Sequence, residues 1–316
     1  PFEYGENGAK AVSDEATIKT IPDSFWQEHS IHALGRKSDQ WLNSQGRLSR
    51  PLSLERDSNH YVPSDWDRAI GIIAKSLDAL EDPNDAYFYT SGRASNEAAY
   101  LWQLLARQYG TNNLPDCSNM CHESSGVALN ESIGIGKGTV RLEDFDKADL
   151  IVIVGQNPGT NHPRMLSALK SAKVSGASVL SLNPLKETGV RRFRHPQSPI
   201  DMLGAGTQIS DDHVNIKING DMALFRAIGS IILDKGSHDL DFINLNTTGF
   251  LDYAKIAQKI DWDLIEHLTG QDRERINELS DYFCRSRRTI VCWAMGLTQH
   301  KNSDTTIRAI MNVLIL

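Results

Sequence analysis

The chain has 316 residues, of which 40% are hydrophobic, so it can form more than one compact unit with a buried core. Its 40 acidic and 33 basic residues give a net charge of −7 at pH 7. Because the chain has no excess of positive charge to attract phosphate, we expect no nucleic-acid partner.

No apolar run in the chain is as long as a membrane span, and the first residues lack the charged and apolar regions of a secretory signal. We therefore expect a cytoplasmic protein with no membrane partner. The chain begins at Pro1, and its last apolar helical pattern continues to Leu316 without a stop signal. We expect both ends to be cuts in a longer polypeptide.

The first predicted segment, residues 1–63, is rich in Ser, Asn, Arg and Pro and has only short periodic patches. We expect it to be extended and to wrap other parts of the protein. Residues 64–117 predict an incomplete first α/β cofactor-binding unit. In this unit Ser64 or Asp65 precedes a helix with apolar residues at helical spacing, and a buried strand at residues 86–89 precedes a second helix.

Residues 118–316 predict a second Rossmann-like cofactor-binding domain. Its predicted strands are residues 150–154, 177–182, 214–218 and 289–293. Helical patterns lie at residues 165–169, 222–233, 251–258 and 273–284 and at the end of the chain. Strands that are apolar throughout and alternate with helices are typical of a parallel sheet buried on both faces. The sequence therefore predicts the α/β fold class, built from Rossmann-like parallel-sheet units.

Polar and glycine-rich segments follow the predicted strands, where ligands of open parallel sheets bind. These segments are residues 91–97, 155–163, 183–186, 219–221 and 295–300. Glycine allows a ligand to approach the backbone, helix N-termini attract phosphate, and Asn, Gln and Asp form directional bonds to a heterocycle or ribose. A large nucleotide-like ligand fits this composition, although ordinary α/β turns are also rich in Gly, Asn and Pro. The chain has neither GxGxxG nor GxxxxGK[ST], so an ordinary dinucleotide or P-loop site is not supported.

The candidate cofactor-binding residues come from these five segments. They are Ser91, Gly92, Arg93, Asn96, Glu97, Gly155, Gln156, Asn157, Pro158, Thr160, Asn161, His162, Asn183, Pro184, Lys186, Gly220, Asp221, Met295, Gly296 and Gln299.

One of the four cysteines has surroundings suited to a metal ligand. Cys121 lies in the polar segment 116–126, directly before a His and a Glu, and we expect this segment to be a loop before a helix. A positive helix end and a neighbouring imidazole favour thiolate, the form that binds soft metals. Cys117, Cys284 and Cys292 are more simply interpreted as buried thiols.

Taken together, several of these segments resemble the molybdopterin oxidoreductases, most closely the formate dehydrogenase alpha-subunit-like branch that includes the YdeP proteins. The resemblance covers nearly the whole chain. Its most specific parts are residues 90–100, 109–113, 116–123, 136–138, 155–163, 183–184, 220–224 and 295–300.

The resemblance implies a molybdenum atom held between two pterin guanine dinucleotides, with Cys121 as its protein ligand and His122 as the proton-handling group. It implies a small substrate such as formate and an electron acceptor that the sequence does not identify. The cofactor residues would divide into three groups. Arg93, Asn96 and Glu97 would hold one pterin cofactor, Asn157, His162, Asn183 and Asp221 the guanosine or phosphates of the other, and Met295, Gly296 and Gln299 the pterin near the metal.

The chain departs from the family pattern in two respects. Gly5 stands where relatives with an iron–sulfur cluster have their last cluster cysteine, so no such cluster is evident in this chain. A catalytic arginine and further cofactor-binding domains would lie beyond Leu316, so we expect the fragment alone to be inactive.

Two alternative functions and one question about a run of arginines remain open from the sequence. The protein could be a non-catalytic paralogue or assembly module that keeps the nucleotide-binding fold, or a thiol-sensing regulator that uses Cys117 and Cys121. Arg191, Arg192 and Arg194 could pair with cofactor phosphate or form a solvated run of charge.

Overall fold

The structure of the chain, a computed structural model, describes residues 6–91, 94–115 and 117–316. The chain divides into two compact units. They are a larger unit, Ser118–Leu316 with a short N-terminal stretch that ends at Ala9, and a smaller unit, Lys10–Cys117. Among the described residues, no helix combines the length and the apolar composition that crossing a bilayer requires.

The strands in this part of the chain are β1 (Leu52–Ser53), β2 (Val62–Pro63), β3 (Leu150–Val154), β4 (Ser178–Leu182), β5 (Arg192–Phe193), β6 (Thr207–Gln208), β7 (Asp212–Val214) and β8 (Thr289–Trp293). The α-helices are α1 (Glu6–Ala16), α2 (Asp23–Glu28), α3 (Ile31–Leu34), α4 (Asp39–Ser44), α5 (Trp66–Asp78), α6 (Asn96–Tyr109), α7 (Cys117–Ile133), α8 (Pro158–Asn161), α9 (Met165–Val174), α10 (Thr188–Arg191), α11 (Pro199–Leu203), α12 (Asp221–Asp234), α13 (Leu240–Asn246), α14 (Phe250–Ala257), α15 (Trp262–Thr269), α16 (Arg273–Arg285), α17 (Met295–Thr298) and α18 (Ser303–Ile315).

A four-stranded sheet with the order β7-β4-β3-β8 forms the centre of the larger unit. All three neighbouring pairs are parallel. The register pairs Val154 with both Leu182 and Trp293, and pairs Leu182 with Val214. The last residues of the four strands are therefore aligned, and the segments that follow them begin at one edge of the sheet.

Helices cover both faces of this sheet. Leu150, Val152 and Val154 point to one face, where they pack with residues of α12, α16 and α18. Ile151 and Ile153 point to the other face and pack with α9. Burial on both faces explains the unbroken apolar sequence of β3 and confirms the predicted α/β fold with a parallel sheet.

The smaller unit contains short helices, the antiparallel pair β1–β2 and the longer helices α5 and α6. Asp65 caps α5 by accepting a hydrogen bond from the backbone N–H of Arg68, as the sequence predicts. The core of this unit is small, with Ala86, Phe88 and Ala106 at its centre.

Two predictions for the first 117 residues are wrong. Residues 6–44 contain four helices where the sequence predicts extended structure, and three of these helices have only four to six residues. Residues 86–89 form no strand in the described range 6–91. Phe88 donates its N–H to Asn113 O in a non-strand segment, and the exposed Tyr87 and Tyr89 alternate with buried neighbours.

The third strand predicted for the larger unit is also displaced from its prediction. The sequence predicts residues 214–218, whereas β7 is Asp212–Val214. After Val214 the chain leaves the sheet, because Lys217 N–H bonds to Thr269 O and Ile218 is exposed to solvent. As a result, Gly220 and Asp221 do not directly follow a strand but begin α12.

Candidate functional site

The carboxyl edge of the central sheet brings together several of the predicted site residues. Gly155 directly follows β3, Asn183 follows β4, and Met295 comes two residues after β8. These three residues follow neighbouring strands whose ends are aligned. The edge is therefore the site in the larger unit to which the sequence-predicted residues converge.

Gly155 and Gly296 pack backbone against backbone at this edge. The Gly296 N–H donates to Gly155 O at 3.1 Å, and a Cβ on Gly155 would lie 2.9 Å from the carbonyl carbon of Gly296. Gly155 also has a φ of +56°. These glycines thus have a packing function in addition to any contact with a ligand.

Cys121 is held at the end of β8 by helix α7. The Oγ of Ser125, one helical turn after Cys121, accepts a 3.0 Å hydrogen bond from Nε1 of Trp293, the last residue of β8. Cys121 Sγ lies 2.8 Å from Met295 Sδ, and the Cys121 side chain is half-buried. The sulfur therefore lies beside the residues that follow β8.

The prediction of a loop around Cys121 is wrong, because α7 begins at Cys117 and places Cys121 in its second turn. Packing explains the helix: Ala128 and Leu129 of α7 form a buried cluster with Ile307 and Met311 of α18. His122 follows on the same helix and is exposed to solvent.

Gln156 presents an unpaired oxygen in the segment after β3. Only 6% of the residue is exposed, and its Nε2 lies 3.1 Å from His162 Nδ1 and 3.3 Å from Met165 Sδ. Its Oε1 is buried and has no protein partner among the described residues. A buried acceptor without a partner costs stability, so a donor from a ligand would satisfy it.

The Asn157 side chain caps the short helix α8, where its Oδ1 accepts a 3.3 Å bond from Thr160 N–H. A Cβ on Gly189 would lie 2.7 Å from Gly159 N and 2.9 Å from Asn157 Oδ1. Gly189 therefore lets α10 approach α8 closely. Thr160, Asn161 and His162 are exposed to solvent.

Asp221 is a buried acid at the start of α12. Only 4% of it is exposed, and burial raises the pKa of its carboxyl to about 6, an effect that the nearby His300 reduces. Nδ1 of His300 is itself buried and has no partner among the described residues. Asn183 is half-buried and donates from Nδ2 to Leu185 O at 3.2 Å.

Some of the predicted residues are not brought to this edge by any described contact. Ser91, Asn96 and Glu97 belong to the smaller unit, where the last two begin α6 and all three are exposed. Gly92, Arg93 and the cluster-related Gly5 lie outside the described residues. Lys186 lines a separate cleft beside β7.

A metal at this edge would need ligands from a bound cofactor in addition to those from the protein. In residues 6–91, 94–115 and 117–316, no three or more His, Cys, Asp or Glu side chains are grouped as a metal site. A half-buried thiol with a buried, unpaired acceptor in the same unit fits a metal whose other ligands come from a bulky organic cofactor.

The sequence did not indicate Ser125, Trp293, Gly189 or His300 as residues of the site. The spacing of Ser125 from Cys121 is the one signal that could have been used, since residues four apart lie on the same face of a helix. The other three depend on contacts between distant segments.

A family model described as molybdopterin oxidoreductase matches residues 47–316. An uncharacterized oxidoreductase of Mycobacterium tuberculosis is 48% identical over 320 residues, which are 99% of this chain and 41% of that protein. The protein YdeP of Escherichia coli is 42% identical over 326 residues, which are 100% of this chain and 43% of YdeP. The chain thus spans about two fifths of the length of these relatives.

Two more distant proteins are also similar. The Bacillus subtilis protein named "Putative formate dehydrogenase YrhE" is 28% identical over 307 residues, covering 96% of this chain and 29% of YrhE. Among solved structures, acetylene hydratase from Pelobacter acetylenicus aligns with a TM-score of 0.67 at 19% identity, covering 85% of this chain and 35% of that one. At 19% identity, the similarity to acetylene hydratase concerns the fold alone.

Proposed function

The chain belongs to the molybdopterin oxidoreductase family, and on this premise we propose that it is the molybdopterin guanine dinucleotide-binding part of a molybdenum-dependent, formate dehydrogenase-like oxidoreductase. The name of YrhE, a more distant relative, supports the formate dehydrogenase-like assignment. Because the chain spans about two fifths of its nearer relatives, the activity belongs to the whole protein rather than to these residues alone.

Cys121 is the proposed protein ligand of the molybdenum. The observation that carries this assignment is the 2.8 Å approach of its sulfur to Met295, which follows β8 at the carboxyl edge of the sheet. The metal would exchange electrons with the substrate when bound. Cys121 would contribute one soft sulfur donor from a fixed helix, because α7 is anchored to Trp293 through Ser125.

His122 is the proposed proton carrier next to this ligand. It is exposed on α7 directly after Cys121, so a proton on its ring can exchange with solvent. An imidazole ring can both accept and donate a proton, which suits it to take a proton from a small substrate and release it to water.

The other proposed contacts divide into groups according to the type of bond they can form. Gln156 Oε1 and the Asp221 carboxylate are buried acceptors suited to the N–H donors of a guanine or pterin ring. Side-chain donors and acceptors of the segments predicted from the sequence would bind the remaining polar groups of the two pterin cofactors. They are Asn157, Thr160, Asn161, His162, Asn183, Gln299, Ser91, Arg93, Asn96 and Glu97. Further residues would contact the cofactor through van der Waals packing. They are Gly92, Gly155, Pro158, Pro184, Gly220, Met295 and Gly296.

The proposed setting is cytoplasmic, with formate or a similarly small molecule as the substrate and a separate electron acceptor. The experiment is to purify the intact protein without air and to measure its molybdenum and the guanine nucleotide released on denaturation. We expect two guanine nucleotides for each molybdenum and electron transfer from formate to an artificial dye. A protein with neither molybdenum nor guanine nucleotide would instead be the non-catalytic paralogue, and the proposed function would be wrong.

A further inference from the structure

We propose that the larger unit carries a second, phosphate-binding site, in the cleft beside the edge strand β7 where Lys186, Arg191 and Arg192 meet. The cleft has a volume of about 450 Å³. It is lined by Lys186, Arg191, Arg192, Gln208, Ser210, Asp211, Asp212 and His213. Strand β7 pairs with β4 and is an end strand of the central sheet, so the cleft lies at the side of the sheet.

The three cations of this cleft have no acidic partner among the described residues, whereas its two aspartates are already paired. Lys173 Nζ donates to both carboxylate oxygens of Asp211 at 2.6 and 2.7 Å. Arg275 Nη2 does the same to Asp212 at 2.7 and 2.6 Å. Neither Lys173 nor Arg275 lines the cleft, so the positive charge inside it remains uncompensated.

The geometry around the cations suits an anion with several oxygens. Arg192 uses Nη1 to donate to Ala205 O at 3.0 Å, which holds its guanidinium in place and leaves further N–H groups for a ligand. Arg191 is exposed at the end of α10, and Lys186 is exposed in the segment after β4. Two guanidinium groups and an ammonium are the groups with which proteins bind phosphate, and the arginines can do so through two parallel bonds.

His213 adds a neutral wall to the cleft. Its Nδ1 lies 3.2 Å from Ser181 Oγ, and the residue is half-buried. Burial and the charge of Lys186 lower its pKa, so the ring is uncharged near neutral pH. The charge that attracts the anion therefore comes from the three permanent cations.

This site goes beyond the proposed cofactor site, since Lys186 is the one candidate cofactor residue among those that line the cleft. The proposed ligand is a free phosphorylated molecule, and the phosphate of the cofactor itself is the competing occupant that the test distinguishes. Both sources present the same chemistry to the cleft.

The test measures binding of inorganic phosphate and pyrophosphate to the intact protein by titration calorimetry, with and without bound cofactor. We expect Arg191→Ala and Arg192→Ala each to weaken pyrophosphate binding by about tenfold. Arg287→Ala is the matched control: it removes one exposed arginine outside the cleft, and binding should not change. Melting curves of the variants would verify that each is folded.

The two cofactor states distinguish the sources of the phosphate. Equal pyrophosphate affinity with and without cofactor indicates a free phosphorylated ligand. Binding only after cofactor removal, with loss of cofactor from the Arg191→Ala variant, would show that the cleft holds the cofactor's own phosphate, and this result would overturn the proposal of a second site. The proposal is wrong if folded Arg191→Ala and Arg192→Ala variants bind pyrophosphate as wild type does, or if wild type does not bind it. Neither result depends on whether the protein oxidises formate.

Discussion

The thiol of Cys121 lies 2.8 Å from the thioether sulfur of Met295, and this contact joins helix α7 to the segment after β8. Met295 therefore covers one side of the half-buried Cys121 sulfur. We predict that Met295→Ala increases the rate at which iodoacetamide alkylates Cys121 in the cofactor-free protein by several-fold, because thiol reactivity depends on access. Met222→Ala serves as the control, since Met222 contacts Asn302 rather than Cys121. Equal rates in wild type and Met295→Ala would contradict the contact.

Cys292 should behave in the opposite way. It lies in β8 opposite the fully buried Ile153 of β3, and burial raises the pKa of its thiol to about 12. Almost none of it is thiolate near pH 8, so we predict that it stays unmodified while Cys121 is alkylated. Peptide mass mapping of the folded protein measures both sites at once. Modification of Cys292 before the protein is denatured would show that its thiol is not buried.

Replacing Gly296 should disturb the carboxyl edge of the sheet. A Cβ at this position would overlap the carbonyl oxygen of Gly155, and the facing backbone cannot rotate away as a side chain can. We predict that Gly296→Ala lowers the free energy of unfolding by roughly 1–3 kcal/mol. Gly138→Ala is the control, because a Cβ there meets no atom within 4 Å. Denaturant titration measures both variants, and equal stabilities would show that the edge can relax.

Asp221 should make the stability of the cofactor-free protein depend on pH. Burial raises its pKa from 3.8 to about 6, so between these values the folded state binds more protons than the unfolded state. The contribution of Asp221 to the free energy of unfolding is therefore highest below about pH 4 and decreases as the pH rises through about 6. We predict that Asp221→Asn is more stable than wild type near pH 8 by up to roughly 3 kcal/mol and similar to it near pH 4.

Denaturant titration at the two pH values tests this prediction for Asp221. The same Asp221→Asn variant should retain less guanine nucleotide, because the proposed function makes the carboxylate an acceptor for the cofactor. If the variant is no more stable than wild type near pH 8, burial does not destabilise the charged carboxylate of Asp221.

The sequence predicted the parts of the fold that burial determines. Strands β3, β4 and β8 are covered by helices, so their side chains form long apolar runs that can be recognised without a structure. Strand β7 has three residues and lies at the end of the sheet. The apolar residues that suggested a longer strand, Ile216 and Ile218, lie beyond its end, where the chain has turned toward α15.

The environment of Cys121 could not be predicted from its local sequence. Residues 117–126 contain three serines, and Met120 is their one apolar residue besides the two cysteines, so they resemble a loop. The helix is stabilised by packing of its later turns on α18 and by the bond between Ser125 and Trp293, which are 168 residues apart. Only the folded chain brings these segments together.

The most direct test of the account is X-ray absorption at the molybdenum edge of the intact protein, purified without air, compared with its Cys121→Ser and Cys117→Ser variants. We predict that Cys121→Ser either loses its molybdenum or shows one sulfur neighbour fewer, because Cys121 donates its sulfur to the metal. Cys117→Ser should keep the metal content and sulfur count of wild type. Unchanged metal content and an unchanged sulfur count in Cys121→Ser would contradict the assignment of Cys121 as the ligand.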